Sequence, residues 1–515
     1  VAEEAEDLAV DATRTGTPVA EEAPPAAPPA AAPADARSAQ SPEAAPLPAP
    51  ATAETPALPA DRPPVVDRPL ARLAQKDLDY PLKLAGLSAG AYQLARVTYL
   101  HLEPRFDYPF LDGDLLVNVA IPLNFLIYDE TVPEDLAQEG MGTLRDADWD
   151  ELPGDLLRVF RRLEYGHPEA PLWLRLGGNE PITLGQGALL RRVGGELALD
   201  RVQPVAGVGW KHPAGGLLLL TPDASTWEVL AVQGSLAPAR LVTPDPFWGG
   251  LLFSVSYAFD RNAPFALRHA ASGKVVYDRQ GRPTVDETVF LQAVGATLQL
   301  DLLRSPRLLL QQYLDYSAIS GRGGAFTVGL LQRYSFADEL FALEVRTELL
   351  THDADYLPGY FDELYLVERE GVVSERLSAG DLPKAAYLQS LTGLPRRVGY
   401  QLELAAAFPG WAALAAALQD VNEGRERRLL LHGEVPATRW LHLFLTYEKR
   451  NFAALLPLFD FNEDNQVFYH GIRLSLTPWA ALCYRAQRAY QVDLNARERK
   501  NVFHFQVDAE VGWGF

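Results

Sequence analysis

Three short clusters of polar residues have side chains that could bind a metal ion or a phosphate. The first contains Asp460, Asn462 and Asp464, which share the alternate spacing of the first ligands in a calcium loop. An EF-hand is excluded, because its sixth position needs Gly and its twelfth needs Glu, whereas this chain has Asn465 and Gly471 there. We interpret the cluster as a solvated loop between two strands, with a calcium site of another kind as the minor alternative.

The other two clusters match no catalytic or nucleotide-binding pattern. His352, Asp353 and Asp355 lie near Tyr356, but the chain has no HExxH helix and no paired histidine spacing. The glycine-rich stretch 321–324 lacks the Lys-Ser/Thr pair of a phosphate loop, which predicts a flexible turn. No GxSxG elbow occurs, although a catalytic dyad carried by a barrel would leave no local motif. We therefore expect no enzyme activity, no cofactor and no metal.

Composition excludes several classes of function and of fold. The 515 residues include 67 acidic and 46 basic ones, for a net charge of −21, which argues against a nucleic-acid partner. Cys483 is the only cysteine, so neither an intrachain disulfide nor a cysteine-rich zinc site can form. No stretch of about 20 apolar residues is present for a transmembrane helix. A membrane-spanning chain of this kind must use strands in a closed barrel, which pairs every backbone group in lipid.

The N-terminal part of the chain differs in composition from the rest. Residues 1–67 are rich in Ala, Pro and Glu and contain no aromatic residue, so they cannot bury enough apolar surface to offset their ordering entropy. We predict a disordered, extended tail at 1–67 and a linker at 68–89. The tail is interpreted as a solubilising leader, with protein binding as the alternative. The chain opens on Val1 without a signal-like segment, which predicts that a signal peptide has been removed.

From about residue 90 the chain consists of runs in which apolar and polar residues alternate, separated by Gly, Pro and Asp clusters. This two-residue period predicts β-strands. In the run 116–127, the central Pro122 predicts a bulge or a strand end. Because bacterial barrels have even strand numbers, we predict an all-β transmembrane antiparallel barrel over 90–515, with about 18 strands within a range of 16 to 20. The candidate strands are 90–103, 114–128, 171–177, 184–192, 204–211, 214–220, 227–236, 249–260, 287–302, 306–317, 324–335, 339–350, 396–409, 411–420, 426–436, 438–449, 465–477, 479–492 and 500–515.

The connections between the candidate strands are of two kinds. Short turns lie at 304–306, 336–338 and 409–410, and long loops at 129–170, 261–286 and 352–395. Short turns at one end and long loops at the other are typical of membrane barrels. Within the first long loop, apolar residues at helical spacing predict one short amphipathic helix over 155–164.

The last candidate strand is the most regular one. Aromatic rings stand at both of its ends with aliphatic residues between them, as expected if the rings lie at the two interfaces of a membrane. From Phe505 to Trp513 the strand projects roughly 20 Å along the membrane normal, and from Phe503 to Phe515 about 30 Å. These lengths bracket the apolar band of about 25 Å found in such barrels. The apolar face consists of Phe503, Phe505, Val507, Ala509, Val511, Trp513 and Phe515.

Val511, Trp513 and Phe515 match a signal in which the chain ends on an aromatic residue, usually Phe, preceded by alternate apolar residues. On these residues, and on the pattern over 91–515, the chain resembles the outer-membrane β-barrel superfamily of Gram-negative bacteria. The glycine often seen upstream is replaced by Glu510. The resemblance implies an outer-membrane location with residues 1–67 in the periplasm, contact with lipid and lipopolysaccharide, and assembly by the barrel-assembly machinery. It also implies that the assembly signal and aromatic girdle are Phe503, Phe505, Val511, Trp513 and Phe515.

Charged residues in the middle of several strands predict an interior that is wet or charge-paired. Alternation gives the lumen-lining candidates Glu344, Arg346, Glu403, Asp508 and Glu510. Two functions are open: a channel or porin-like translocation pore whose charges select what passes, or a structural and docking barrel of a trans-envelope machine. The machine would serve secretion, polysaccharide export or surface motility, and the tail would bind periplasmic proteins. A soluble periplasmic or secreted β-protein is the weaker alternative.

Overall fold

A computed structural model of the chain describes residues 84–514, apart from a number of internal stretches. The predicted tail at 1–67, Phe515 and the calcium-like cluster at 460–464 lie outside the described residues. The internal stretches that are not described are 95–96, 130–141, 146–148, 150–153, 167–169, 178–182, 193–203, 243–245, 277–282, 337–339, 363–364, 371–381, 392–394, 409–410, 422–426, 439, 453–464 and 494–497.

The described chain is built mainly of strands, with short helices in the connections. The strands are β1 (Leu84–Leu94), β2 (Val97–Phe110), β3 (Leu115–Ala120), β4 (Leu123–Asp129), β5 (Phe160–Tyr165), β6 (Leu172–Gly177), β7 (Ala206–His212), β8 (Gly215–Thr221), β9 (Val229–Leu236), β10 (Leu252–Leu267), β11 (Val285–Arg304), β12 (Leu308–Ile319), β13 (Gly324–Phe336), β14 (Phe341–His352), β15 (Arg397–Phe408), β16 (Ala412–Asp420), β17 (Arg427–Thr438), β18 (Leu441–Phe452), β19 (Gln466–Thr477), β20 (Ala480–Asp493) and β21 (Glu498–Gly514). The helices are α1 (Gly154–Val159), α2 (Pro246–Gly249), α3 (Tyr365–Glu368) and α4 (Lys384–Ser390), with 3-10 turns at Leu111–Gly113 and Pro238–Leu241.

Twenty of these strands close into one antiparallel ring. Each strand pairs with the strands before and after it in the circuit. The circuit is completed by β1, whose residues Leu84–Leu94 pair with His504–Gly514 of β21. β4 lies outside the circuit, because it continues β3 along the same neighbour, β2. A closed ring has no unpaired edge, so the backbone donors and acceptors of its strands find partners within the sheet.

The strand count confirms the barrel and the range of 16 to 20, and the ring has two strands more than the expected number of about 18. One reason is that the run 90–103 contains parts of two strands, β1 and β2. The barrel therefore begins at Leu84, inside the predicted linker 68–89. The start was missed because the inner face of β1 carries Gly86, Ser88 and Gly90, which give no contrast between apolar and polar residues.

A second reason lies in the segment 155–164, predicted as one helix. Helix α1 ends at Val159 and β5 begins at Phe160, so the helix prediction is wrong for the second half of the segment. β5 pairs with β3 on one side and with β6 on the other, and the ring could not close without it. Pairing within the sheet thus outweighs the helical spacing of the apolar residues.

The break predicted at Pro122 is confirmed. Ile121 and Pro122 separate β3 from β4, and the two segments otherwise run in line beside β2. Proline has no backbone N–H to donate to a neighbouring strand, so the ladder is interrupted at this point.

The connections at the two ends of the barrel differ in length, as the sequence predicts. At one end, called the turn end, most connections span two to six residues, and β1 begins and β21 ends there. At the other end, called the loop end, long connections lie at 130–159, 178–205, 268–284 and 353–396. Three of these correspond to the predicted long loops. The loop at 178–205 was not predicted, because strands had been expected within it.

Alternate residues of each strand face opposite sides of the wall. In β12, Gln311, Asp315 and Ser317 are buried, whereas Leu314 and Tyr316 between them are exposed. This arrangement is the reverse of a water-soluble sheet, in which apolar residues are buried and polar ones exposed. An apolar outer face around a polar interior is typical of a transmembrane barrel.

Packing inside the wall is tight at Gly329 of β13, where a Cβ atom would meet the ring of Tyr313 on β12. The Tyr313 ring is fully buried and its hydroxyl donates a hydrogen bond to Glu348 at 2.5 Å, so the ring cannot move aside freely. We predict that Gly329→Ala destabilises the barrel by about 1–3 kcal/mol through overpacking.

The control for this substitution is Gly234→Ala in β9, where an added Cβ meets no atom within 4 Å. The measurement is urea-induced unfolding of the barrel in lipid vesicles, followed by tryptophan fluorescence. Equal unfolding midpoints for the two variants would contradict the packing described for Gly329.

Candidate functional site: a filled lumen inside a lipid-facing wall

Exposed aromatic side chains form two belts around the outside of the barrel. The residues of the turn-end belt are Phe110, Trp210, Trp248, Phe336, Trp411, Trp440, Trp479 and Trp513, and those of the loop-end belt are Tyr128, Phe290, Tyr316, Phe326, Tyr400 and Phe503. Between the belts, the outward positions carry mainly exposed Leu and Val. Aromatic belts around an aliphatic band match the two interfaces and the hydrocarbon core of a bilayer. The chain is a transmembrane β-barrel.

Four of the five residues predicted as assembly signal and girdle lie among the described residues, on the outer face of β21. Trp513 is 60% exposed at the turn end and Phe503 is 48% exposed toward the loop end, where its ring contacts that of Phe505. Val511 is half-buried on the same face. Their role in assembly stays a prediction, as does that of Phe515.

A charge placed in the middle of the lipid-facing band is expected to destabilise the barrel. Val507 lies on the outer face of β21 between Phe503 and Trp513. We predict that Val507→Arg costs about 2–4 kcal/mol in a bilayer, whereas Trp513→Arg at the interface costs about 0–1 kcal/mol from charge alone. Reversible unfolding in lipid vesicles measures both. A larger loss of unfolding free energy for Trp513→Arg than for Val507→Arg would mean that the hydrocarbon core of the bilayer lies at a different height on the wall.

Two connections from the loop end fold into the barrel. They are called the inner loops 183–192 and 353–391, and the described parts of the second are 353–362, 365–370 and 382–391. The two loops contact each other through an isolated parallel bridge between Leu190 and Phe361. The strand predicted at 184–192 is therefore wrong, because this apolar segment packs inside the lumen instead of joining the ring.

An apolar core forms where the inner loops meet one side of the wall. From the loops, it contains the fully buried side chains of Leu190, Tyr356, Phe361 and Leu388 among others. Burying each such side chain contributes roughly 1.5–3 kcal/mol, so the resting position of the loops is strongly favoured. The wall makes room with small inward-facing residues on β9 to β13, namely Ala231, Ala258, Ala263, Ala293 and Ala325.

Ion pairs attach the first inner loop to the neighbouring wall. Arg191 donates to Glu348 of β14 at 3.0 Å and to Glu403 of β15 at 2.9 Å. Arg346 of β14 lies 3.5 Å from Glu403 and donates to the backbone carbonyl of Gln186 at 2.9 Å. Two of the predicted lumen residues, Arg346 and Glu403, thus contact the loop. A third, Glu344, lies on the same strand as Arg346 and pairs with Arg333 at 2.5 Å.

A second network attaches the other inner loop to β17 and β18. The Asp362 carboxylate lies 3.1 Å from Arg450 and 3.5 Å from both Lys384 and Arg428. Burial raises the pKa of Asp362, but the three cations more than offset this effect and lower the pKa to about 2. Within the same network, Glu368 pairs with Lys384 at 3.1 Å and with Arg450 at 2.6 Å, and Glu448 of β18 pairs with Arg428 at 2.8 Å.

The same loop is also attached to a distant part of the ring. Arg369 donates to Asp260 of β10 at 2.6 and 3.0 Å and also pairs with Glu228. Tyr365 donates to Asp260 at 2.8 Å. β10 lies eight strands along the ring from β18, in a ring of 20. The loop 353–391 therefore crosses the lumen and is held on both sides.

The remaining predicted lumen residues lie in a third network toward the turn end. Glu510 of β21 accepts from Arg105 of β2 and Arg473 of β19, each at 3.0 Å, and lies 3.6 Å from Arg485 of β20. Asp508, two residues away, is 1% exposed and has no hydrogen-bond partner among the described residues. Charges from four strands thus meet across the small inward residues of β1.

Sequence reasoning missed Arg191, Glu348, Arg369 and Asp362. Glu348 shares the face of Arg346 on β14, so the alternation could have indicated it. The loop residues gave no signal, because nothing in their local pattern shows that they return into the barrel. Both ring nitrogens of His352 contact backbone carbonyls, those of Asp353 and Val421. Among the described residues, no group of three or more His, Cys, Asp or Glu is arranged to hold a metal ion.

No helix of the described chain has the length and apolar character that would let it cross a bilayer.

No family model and no curated protein matches the chain. Similar solved structures include FpvA from P. aeruginosa, with a TM-score of 0.34 and 9% identity over 84% of this chain and 72% of that chain. The siderophore receptor PirA from Acinetobacter baumannii has a TM-score of 0.34 and 9% identity, with 84% of this chain and 80% of that chain covered. OccK11 (OpdR) from Pseudomonas aeruginosa is also similar, with a TM-score of 0.31 and 10% identity over 84% of this chain and 96% of that chain. These values assign no family.

The inner loop 353–391 should loosen when Asp362 is neutralised. Asp362→Asn leaves three buried cations with one anion fewer, which costs about 3–5 kcal/mol by analogy with broken buried ion pairs. We expect faster hydrogen–deuterium exchange in 353–391. In the unmodified chain, the lowered pKa of Asp362 keeps the pairs intact at pH 4, and protection is lost as the pH falls toward 2.

The matched control is Asp353→Asn in the same loop. Asp353 is partly exposed and pairs with Arg396, which is itself mostly exposed, so its neutralisation should change exchange little. Exchange in 353–391 that is unaffected by Asp362→Asn, or that rises already at pH 5, would contradict the anchoring role of the network.

Proposed function

We propose that the chain is an integral outer-membrane β-barrel that works as a pore for small solutes, with a lumen narrowed by its own inner loops. The observation that carries this proposal is the unequal filling of the lumen. The apolar core of the loops lies against β8 to β13. On the other side of the ring, inward-facing charged and polar side chains keep part of their exposure to solvent.

The partly exposed side chains belong to strands on both sides of the ring closure. Arg105 on β2 and Arg485 on β20 are each 25% exposed, and His442 on β18 is 24% exposed. Their neighbours along each strand face lipid, so the solvent that they meet is inside the barrel. A ring of 20 strands is wide enough for an aqueous passage beside the loops.

The proposal includes an orientation. In outer-membrane barrels the short turns face the periplasm and the longer loops face outward. The turn end would then face the periplasm, and so would the start of β1, to which residues 1–83 are attached. The inner loops would enter the lumen from the external side.

Planar lipid bilayers test the pore directly. We expect the purified barrel to give ohmic, salt-dependent current, and we expect the double substitution Arg473→Gln and Arg485→Gln to change its conductance, because both guanidinium groups face the open part of the lumen. The control is Arg396→Gln, whose side chain is 69% exposed in the connection 353–396. A barrel that inserts and shows heat-modifiable migration but passes no ions at any voltage would contradict the proposal.

The filled half of the lumen favours a second candidate, a structural or docking barrel of a trans-envelope machine. Such a barrel needs no passage, and residues 1–67 would bind its periplasmic partners. A barrel that inserts without conducting would support this second candidate, provided that deletion of 1–67 leaves insertion unchanged and abolishes the binding of a defined periplasmic protein.

A further inference from the structure

Arg192, at the end of the first inner loop, differs from the other arginines around it. Its neighbour Arg191 is buried and pairs with two glutamates, whereas the Arg192 side chain makes no hydrogen bond or ion pair with the described residues and is partly exposed. A guanidinium in water-accessible space has five donors in a planar fork, which suits a carboxylate or a phosphate. Arg192 is therefore placed to meet a solute.

The backbone at Arg192 is held in an unusual conformation. Its φ angle is +52°, in the left-handed region that residues other than glycine seldom adopt. Its backbone N–H donates to the Thr183 hydroxyl at 3.0 Å, which closes the segment 183–192 on itself. Strained residues of this kind cluster at functional sites, where the surrounding structure holds them in place. The backbone that carries the Arg192 side chain is thus held in place within the loop.

Arg192 belongs to a cluster of charged side chains in which the other two arginines are already in ion pairs. Arg191, Arg192 and Arg346 face two glutamates, Glu348 and Glu403, and Arg192 interacts electrostatically with Glu403. Arg333 and Glu344 neutralise each other nearby. Asp315 is buried and accepts a hydrogen bond from Thr297 on the wall.

Part of the wall within electrostatic range of Arg192 belongs to β17, which pairs with β18. Arg192 interacts electrostatically with His432 of β17. His432 contacts the Thr446 hydroxyl at 2.9 Å, and Glu434, two residues along, contacts His442 at 2.9 Å. The Glu434 carboxylate is thus paired with an imidazole, and Arg192 makes no ion pair with the described residues of these two strands.

We infer that Arg192 contacts the transported solute where the inner loops cross the lumen, and that it favours small anions bearing a carboxylate or a phosphate. This inference rests on the proposed pore and adds to it the class of solute and the residue that selects it. Arginines such as Arg191 attach the loop to the wall through ion pairs, whereas Arg192 is the arginine of this loop that is available to a solute in the lumen.

The test compares reversal potentials of single barrels in planar bilayers under a gradient of potassium chloride, and then of potassium acetate. We expect the unmodified barrel to favour the anion in both salts. Arg192→Gln should reduce the anion-to-cation permeability ratio roughly threefold to fivefold, the effect of one unit charge about 4 Å from the ion in a water-like medium. Arg192→Lys keeps the charge and should keep most of the selectivity.

The matched control is Arg268→Gln, which changes the net charge equally at an exposed ion pair with Asp286 in the connection 268–284. Heat-modifiable migration verifies that each variant is folded. The inference would be overturned, while the pore stayed intact, if the unmodified barrel favoured cations. The same holds if Arg192→Gln and Arg268→Gln had equal anion-to-cation permeability ratios. Absence of any current would instead overturn the pore, and the inference with it.

Discussion

In hydrocarbon, no water is available to pair with backbone N–H and C=O groups, and each unpaired group costs several kcal/mol. The pairing of β1 with β21 meets this constraint, because it turns an open sheet with two edges into a ring. The first and last described strands therefore must be adjacent, although about 400 residues separate them in the chain. The two faces of the wall, the lumen and the inner loops all depend on this closure.

Closure also fixes the chemistry of the interior. Inward positions hold charged and polar residues, and a buried charge is tolerated only when an opposite charge or a set of donors is close. Glu510 meets arginines from three other strands, and Asp362 meets three cations from its own loop and from the wall. Removal of one charge from such a network leaves its opposite charges buried without a partner, which costs free energy. The networks consequently hold the inner loops in one place, together with the apolar core beside them.

Much of the fold could be predicted from the two-residue period. Strands such as β12, β14 and β21 alternate so regularly that their existence and their outward faces follow from the sequence. The period failed where one face carries only small residues, as in β1. It also failed at 160–165, where helical spacing suggested the wrong element, and at 184–192, where an apolar run packs against the inside of the ring instead of pairing in it.

From the sequence alone one could predict a transmembrane barrel, the asymmetry of its ends and the inward side of residues such as Arg346 and Glu403, since these follow from local alternation and loop length. The partners of those charges were decided by the tertiary structure. Arg191 reaches Glu348 and Glu403 across 157 and 212 residues of chain. Contacts at such separations depend on how the ring closes and where its loops turn, and no local pattern records either.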